Sequence, residues 1–328
     1  HLDLSLAGMG ESIKSVKEQL RQVPRRGIGY GILRYLSADA ADLEATSDPD
    51  VSFNYLGQFD QFTNGPLIKA ILPESGGLAR SPLGPRAHLL DLTGIVSDGQ
   101  LQVQWVYSQN FHRRETIQRL ADSFMDSLRA LLAHCQSPGA GGFTPSDFPD
   151  AKLAQSTLDQ LLREIGLANG KTGAGSDWLE DLYPLSPSQQ GILIESVMKA
   201  HSGIHIEQTV FDWQGPMNLP ALLRAWQYVL ARHPILRTGF VWEGLPSPLQ
   251  FVLRKVQLPI EHHSLLGLPR EEQQAHINEH IAAERRRGLD LMLAPLLRLS
   301  LFELAPNIHH VVFTRHHILT DGWSIPIG

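Results

Sequence analysis

Cysteine is almost missing from this chain: Cys135 stands alone among 328 residues, so no intrachain disulfide can form and a reducing cytoplasm fits. No apolar run is long enough to span a bilayer, and no secretory signal is recognisable at the start. Positive charge is not in excess either. Twenty-eight Lys and Arg against 34 Asp and Glu leave a net charge of -6, which offers no electrostatic footprint for nucleic acid or an anionic membrane. What is present describes a folded protein: 42% hydrophobic and 19% charged residues, with length for two domains of ordinary size. The first residue is His1 and the last is Gly328, so the sequence reads as a piece of something longer.

Chemistry concentrates at the C-terminal end, in Thr314-Arg315-His316-His317-Ile318-Leu319-Thr320-Asp321-Gly322-Trp323-Ser324. Upstream, Pro295 to Leu301 alternates as a half-buried strand does, Ala305-Pro306-Asn307 is turn chemistry, and Ile308 to Phe313 is a second strand. This hairpin delivers His316 and His317 at a strand terminus. Imidazole titrates near neutrality and can take and return a proton. Neighbouring side chains on a strand point to opposite faces, so one histidine can serve a substrate while the other is packed. Asp321 can brace the loop by pairing with an arginine, and Gly322 permits close backbone approach to a ligand.

Along the rest of the chain, Glu11 to Gln22 has helical spacing closed by Pro24. Pro24-Arg25-Arg26-Gly27-Ile28-Gly29-Tyr30-Gly31 is expected to be a loop, because alternate glycines weaken a helix. It lacks the Gly-x-x-x-x-Gly-Lys pattern of a phosphate cradle. Val51 to Gln58 is an aromatic-rich strand. His88 to Val96 and Leu101 to Tyr107 form a hairpin through Ser97-Asp98-Gly99, and Arg114 to His134 is an amphipathic helix. Glycine-rich breaks at 137–142 and 171–176 bracket a short helix around Leu158, Leu161, Leu162 and Ile165, with Ser156 as its expected cap. Ser186-Pro187 is a strong helix start. A helix over 219–231 then exits at Arg232-His233-Pro234-Ile235-Leu236-Arg237-Thr238-Gly239-Phe240, where Arg237 is a candidate bidentate partner of Asp321.

His276-Ile277-Asn278-Glu279-His280 fits the inverted zinc-peptidase pattern, with His276 and His280 on one helix face. No third ligand is indicated by spacing, and the flanking Glu271-Glu272 and Arg285-Arg286-Arg287 suit a polar surface helix. His262-His263 and His309-His310 read as structural or exposed.

The string His-His-x-x-x-Asp-Gly-Trp resembles the active-site motif of the condensation-domain superfamily of nonribosomal peptide synthetases. Tyr183-Pro184-Leu185-Ser186-Pro187-Ser188-Gln189-Gln190-Gly191 resembles the opening motif of condensation domains that follow an epimerisation domain, and Arg232 to Phe240 their second motif. Pro-x-x-Gly-x-Gly-Tyr-Gly (Gly27, Gly29, Tyr30, Gly31) and Phe-Asn-Tyr-Leu-Gly-Gln (Asn54, Tyr55) are similar to the last two motifs of epimerisation domains.

The resemblance implies an α/β fold of chloramphenicol-acetyltransferase-like lobes. Residues 1–135 would be the C-terminal part of an epimerisation domain, 136–176 a linker with a short helix, and 177–328 the N-terminal lobe of a condensation domain. It further implies peptide-bond formation for antibiotic or other secondary-metabolite biosynthesis. The donor, ending in a D-residue, and the aminoacyl acceptor would ride as thioesters on 4′-phosphopantetheine arms of upstream and downstream carrier domains, alongside an adenylation domain. No cofactor or metal would be bound directly. By the same resemblance His317 faces the tunnel, His316 is its packed neighbour, Asp321 and Arg237 are braces, and Gly322 lies near the reacting carbonyl. A different reading makes the chain a scaffold that docks carrier domains without turnover of its own.

Overall fold

The computed structural model describes residues 2, 4, 8–37, 49–58, 84–137, 140–171, 177–200 and 202–320. The chain divides into two compact units, residues 19–136 and residues 1–18 with 137–328.

In the unit of residues 19–136, strands β1 (Val51–Gln58), β2 (Leu90–Ser97) and β3 (Gln100–Tyr107) form one sheet in that order. β1 and β2 run parallel, while β2 and β3 make the expected hairpin. Asp98 and Gly99 both take positive φ (53° and 69°) at its tip, as a tight primed turn requires. Leu90 and Leu92 of β2 pack with Ile117 of helix α3 (Arg114–Gln136), and Trp105 meets Phe124 edge-on at 5.9 Å. Asn54 and Tyr55 lie on β1. The Tyr55 ring sits over Gly94, its partner across the ladder, where an added Cβ would stand 3.3 Å from Cδ2.

The expected glycine loop is corrected by the structure. Helix α1 (Met9–Gln22) is followed by a 3-10 turn at Pro24–Gly27 and then by helix α2 (Ile28–Leu36), so Gly29, Tyr30 and Gly31 are helical. Only Gly27, at φ 80°, uses its freedom, and nothing lies within 4 Å of a Cβ built at Gly29 or Gly31. Two helical glycines cost about 1 kcal/mol each relative to alanine. Arg34 offsets part of this from the next turn, donating to Tyr30 Oη at 2.9 Å with its guanidinium over the same ring.

The other unit holds a four-stranded sheet ordered β5-β10-β9-β8 and a three-stranded sheet ordered β4-β7-β6. Their strands are β4 (Leu179–Pro184), β5 (Ile206–Gln214), β6 (Thr238–Val241), β7 (Leu249–Leu253), β8 (Ile260–Ser264), β9 (Leu297–Ala305) and β10 (Ile308–His316). β10 is clamped between β5 and β9, antiparallel to both, and β8 lies parallel to β9. Odd-numbered residues of the central pair (Leu299, Leu301, Val311, Phe313) pack against helix α6 (Leu219–Arg232) through Leu222 and Trp226. Phe302 and Val312 face the opposite way, toward Ile277 of helix α7 (Arg270–Arg287).

The connector is part of this core. Phe148, with Leu158, Leu161 and Ile165 of helix α4 (Gln155–Ala168), is buried among Leu179, Leu182, Leu230, Phe240 and Phe251. The expected cap of α4 moves: Ala154 occupies the N-cap without a side-chain bond, and Ser156 is already inside the helix. At helix α5 (Pro187–Met198) the expected start holds, with Ser186 accepting from the Gln189 amide while the Gln189 side chain accepts from the Ser186 amide. The opening of the chain joins the same unit, since Lys17 pairs with Asp147 and the Glu18 carboxylate accepts from the Ser146 amide.

Candidate active site at the end of strand β10

Asn307, at φ 62°, turns the chain from β9 into β10, and the strand ends at His316. His317 opens a 3-10 turn running to Leu319. Its amide donates to the carbonyl of His205 at 2.8 Å, a residue held at φ 60° just ahead of β5. The adjacent histidines thus separate as the pleat dictates, and each meets different partners.

His316 is 3% exposed. Its Nδ1 accepts the Ile318 amide at 3.1 Å, so that nitrogen carries no proton. Nε2 then bears the hydrogen and points toward Ser196 Oγ at 3.4 Å, whose hydroxyl donates to the Ile192 carbonyl at 2.7 Å. Burial first, then the nearby rings of His205 and His317, push its pKa down to about 4 against an opposing pull from Glu207. His316 is a neutral packing and capping residue at ordinary pH.

The side chain of His317 is 36% exposed. Its ring stacks on that of His205, with centroids 6.2 Å apart and planes at 12°. The exposed part of the ring excludes Nδ1, which is buried and 2.9 Å from Glu207 Oε1. That oxygen lies off the ring N–H axis, so the contact is a close approach rather than an aligned hydrogen bond. The other oxygen of Glu207 accepts from Arg315 Nε at 2.8 Å, across the β5–β10 register that pairs the two residues. His205 Nε2 lies 3.1 Å from Glu195, which also accepts from Lys199; these bonds hold the Glu195 carboxyl below its ordinary range.

A cavity of about 380 Å³ opens between α6 and β10, lined by Leu222, Trp226, Leu297, Phe313, Arg315 and Thr320 among others. Its walls are apolar apart from Arg315 and Thr320. The ring of His317 is not part of the lining, although Arg315 and Leu319, two residues before and after it, reach the cavity. A smaller apolar recess beyond shares Leu222, Trp226 and Phe313.

Arg237 is 3% exposed, so it is no solvated surface charge. Its guanidinium donates to the carbonyls of Leu230 (2.8 Å) and Leu253 and to Glu180 Oε2 (2.7 Å), tying the end of α6 to β7 and β4. Asp321, its expected partner, and Gly322 lie outside the described residues.

The zinc pair suggested by the His-x-x-Glu-His spacing does not form a site. His276 is exposed, and the described residues that could share a cation with His280 are Glu261 and His263, their donor atoms within 4.8 Å of one another. His280 Nε2 is 2.9 Å from Ser300 Oγ, His263 stacks on Phe302, and Arg287 stands 3.6 Å from Glu261. With a guanidinium already beside the carboxylate, this is a packed polar cluster. His205, Glu207 and Arg315 belong to the site without having been expected there. Arg315 borders the motif, but the ladder partnership that brings Glu207 to it spans more than a hundred residues and leaves no local pattern.

Fold and site together define an α/β protein with paired imidazoles, one buried and one half-exposed, at a central strand end beside an apolar cavity. The chain belongs to the condensation-domain family, which it matches over residues 5–154 and 179–327. It is 42% identical to a linear gramicidin synthase of Brevibacillus parabrevis, over 97% of this chain and 4% of that protein. To chondramide synthase cmdD of Chondromyces crocatus it is 35% identical, over 99% of this chain and 9% of the relative. The chain therefore spans a small fraction of the length of these relatives. Among solved structures, the starter condensation domain of rhizomide synthetase RzmA aligns with 45% of this chain and 35% of its own, at 20% identity and a TM-score of 0.39.

Proposed function

We propose that the chain works within a nonribosomal peptide synthetase, where residues 177–328, as the N-terminal lobe of a condensation domain, join a carrier-bound peptidyl donor to a carrier-bound aminoacyl acceptor. The acceptor amine attacks the donor thioester carbonyl, a C–N bond forms, the C–S bond breaks, and the amine proton passes by way of His317 to the departing thiolate. The observation that carries this reading is the division of labour between the two rings: His316 is sealed and neutral, whereas His317 keeps an accessible edge. Substrates arrive on phosphopantetheine arms of partner carrier domains, with an adenylation domain in the same assembly. A cytoplasmic setting belongs to the same reading, supported by the single cysteine. No helix among the described residues is long and apolar enough to cross a membrane.

Residues 1–135 are read as the tail of an epimerisation domain, which would make the donor end in a D-residue. Support comes from the two separate stretches that match one family and from the motif residues Gly27, Gly29, Tyr30, Gly31, Asn54 and Tyr55. In this reading Asp321 braces the motif loop and Gly322 gives a backbone contact, as the resemblance implies, while Arg237 supports the lobe through Glu180 and main-chain carbonyls. Single-turnover assays of the full-length synthetase with loaded donor and acceptor carriers test the assignment. Product should form with the unaltered protein and be lost with His317→Ala; product retained by that variant overturns it. A chirality assay in which an L-terminated donor reacts as well as its D counterpart would remove the epimerisation reading alone.

A further inference from the structure

Glu207 lies beside the buried ring nitrogen of His317. Nδ1 of His317 is buried and lies 2.9 Å from Glu207 Oε1. If Nδ1 carried a lone pair instead of a proton, two electron-rich atoms would lie inside contact distance, the nitrogen itself sealed from water. That arrangement is repulsive, and the interior strengthens the repulsion. With the proton on Nδ1 the same contact becomes attractive, and a small rotation of the ring converts it into a charge-assisted hydrogen bond. Catalytic bonds that are loosely aligned before substrate binds tighten in this way when it does. Glu207 is itself fixed, since its second oxygen accepts from Arg315 Nε at 2.8 Å on the neighbouring strand. His205 holds the ring plane by stacking and holds the His317 amide through its carbonyl.

We propose that Glu207 is a positioning residue that keeps the proton of neutral His317 on Nδ1, leaving Nε2 as the basic nitrogen that meets the acceptor amine. The inference rests on the condensation reading for its substrate, but the tautomer it assigns is a property of the chain alone. His316 receives the opposite assignment from the Ile318 amide, which keeps its proton on Nε2. Adjacent imidazoles are thus set to opposite tautomers by two unrelated partners. The proton that moves passes from the amine to Nε2 and on to the thiolate, and none passes to Glu207.

Nitrogen-15 spectra of this chain labelled at histidine give the first test. Neutral His317 should show its proton on Nδ1, and Glu207→Gln should abolish that preference, because the new amide can donate to a bare Nδ1. Arg315→Gln, which removes the bond that fixes Glu207 but keeps its carboxylate, should weaken the Nδ1–H preference, and it serves as the second variant if Glu207→Gln unfolds; an unaltered tautomer in it counts against the proposal. In single-turnover assays of the full-length synthetase, Glu207→Gln should slow product formation by about 10- to 100-fold, a part of what a general base contributes. Carrier affinity should be unchanged. A wild-type His317 that carries its proton on Nε2, or a Glu207→Gln variant with unaltered tautomer and rate, overturns the proposal. Product retained by His317→Ala would instead remove the condensation role while leaving the tautomer result standing.

Discussion

Acidification should destabilise the protein through His316, and the size of the effect follows from its surroundings. An imidazole in the unfolded chain takes up its proton near pH 6.5. In the folded chain burial, reinforced by His205 and His317, holds the same event down to about 4. The unfolded state therefore binds the proton first as pH falls. Stability is untouched above pH 6.5, declines by about 1.4 kcal/mol per pH unit between 6.5 and 4, and levels off below, for a total of about 3 kcal/mol. His316→Asn removes the titration and preserves the capping of the Ile318 amide, since asparagine is a good N-cap acceptor. Urea unfolding at pH 7 and pH 4.5 should show the wild type losing about 2 kcal/mol more than the variant between the two conditions. Other groups, His280 among them, titrate in both proteins and cancel in the difference. Equal losses would refute this reasoning, because they would mean that His316 accepts a proton in the fold as readily as in water.

Two further outcomes follow from packing. Gly239 lies opposite Phe251 in the β6–β7 ladder, and a Cβ there would stand 2.9 Å from two carbons of that fully buried ring and nearer still to a third. Gly239→Ala should therefore cost about 3 kcal/mol by urea unfolding, and adding Phe251→Leu should return part of it as a measurable coupling. Arg237→Met should cost about 3 kcal/mol or more, because it strands the Leu230 and Leu253 carbonyls and the Glu180 carboxylate that the guanidinium now satisfies.

Features governed by neighbours in sequence are legible in the sequence itself. Ser186-Pro187 with Gln189 declares a helix start because its capping hydrogen bonds are local, and the Asp98-Gly99 and Asn307 turns follow from the backbone freedom each demands. The separation of His316 from His317 is likewise a matter of pleat geometry. Gly29 and Gly31 read as loop formers, yet the chain runs helical through them, with the Tyr30–Arg34 pair one turn apart. Other outcomes depend on what the chain meets at a distance. The connector looks like a spacer because its ends are rich in glycine; its middle, Phe148 to Ile165, fills a core whose other walls lie beyond residue 177. Glu207 carries no local signal, since its meaning comes from sitting across the ladder from Arg315.

β10 is pinned along both edges, with Arg315 opposite Glu207 on one side and Leu297 on the other. Which ring keeps an exposed edge and which is walled in is consequently a question of odd and even. One residue inserted between Asn307 and His316 would advance His316 into the half-exposed slot and put Arg315 in the buried slot beside Ser196. Inserting two would return each side chain to its own face of the sheet, two slots further along.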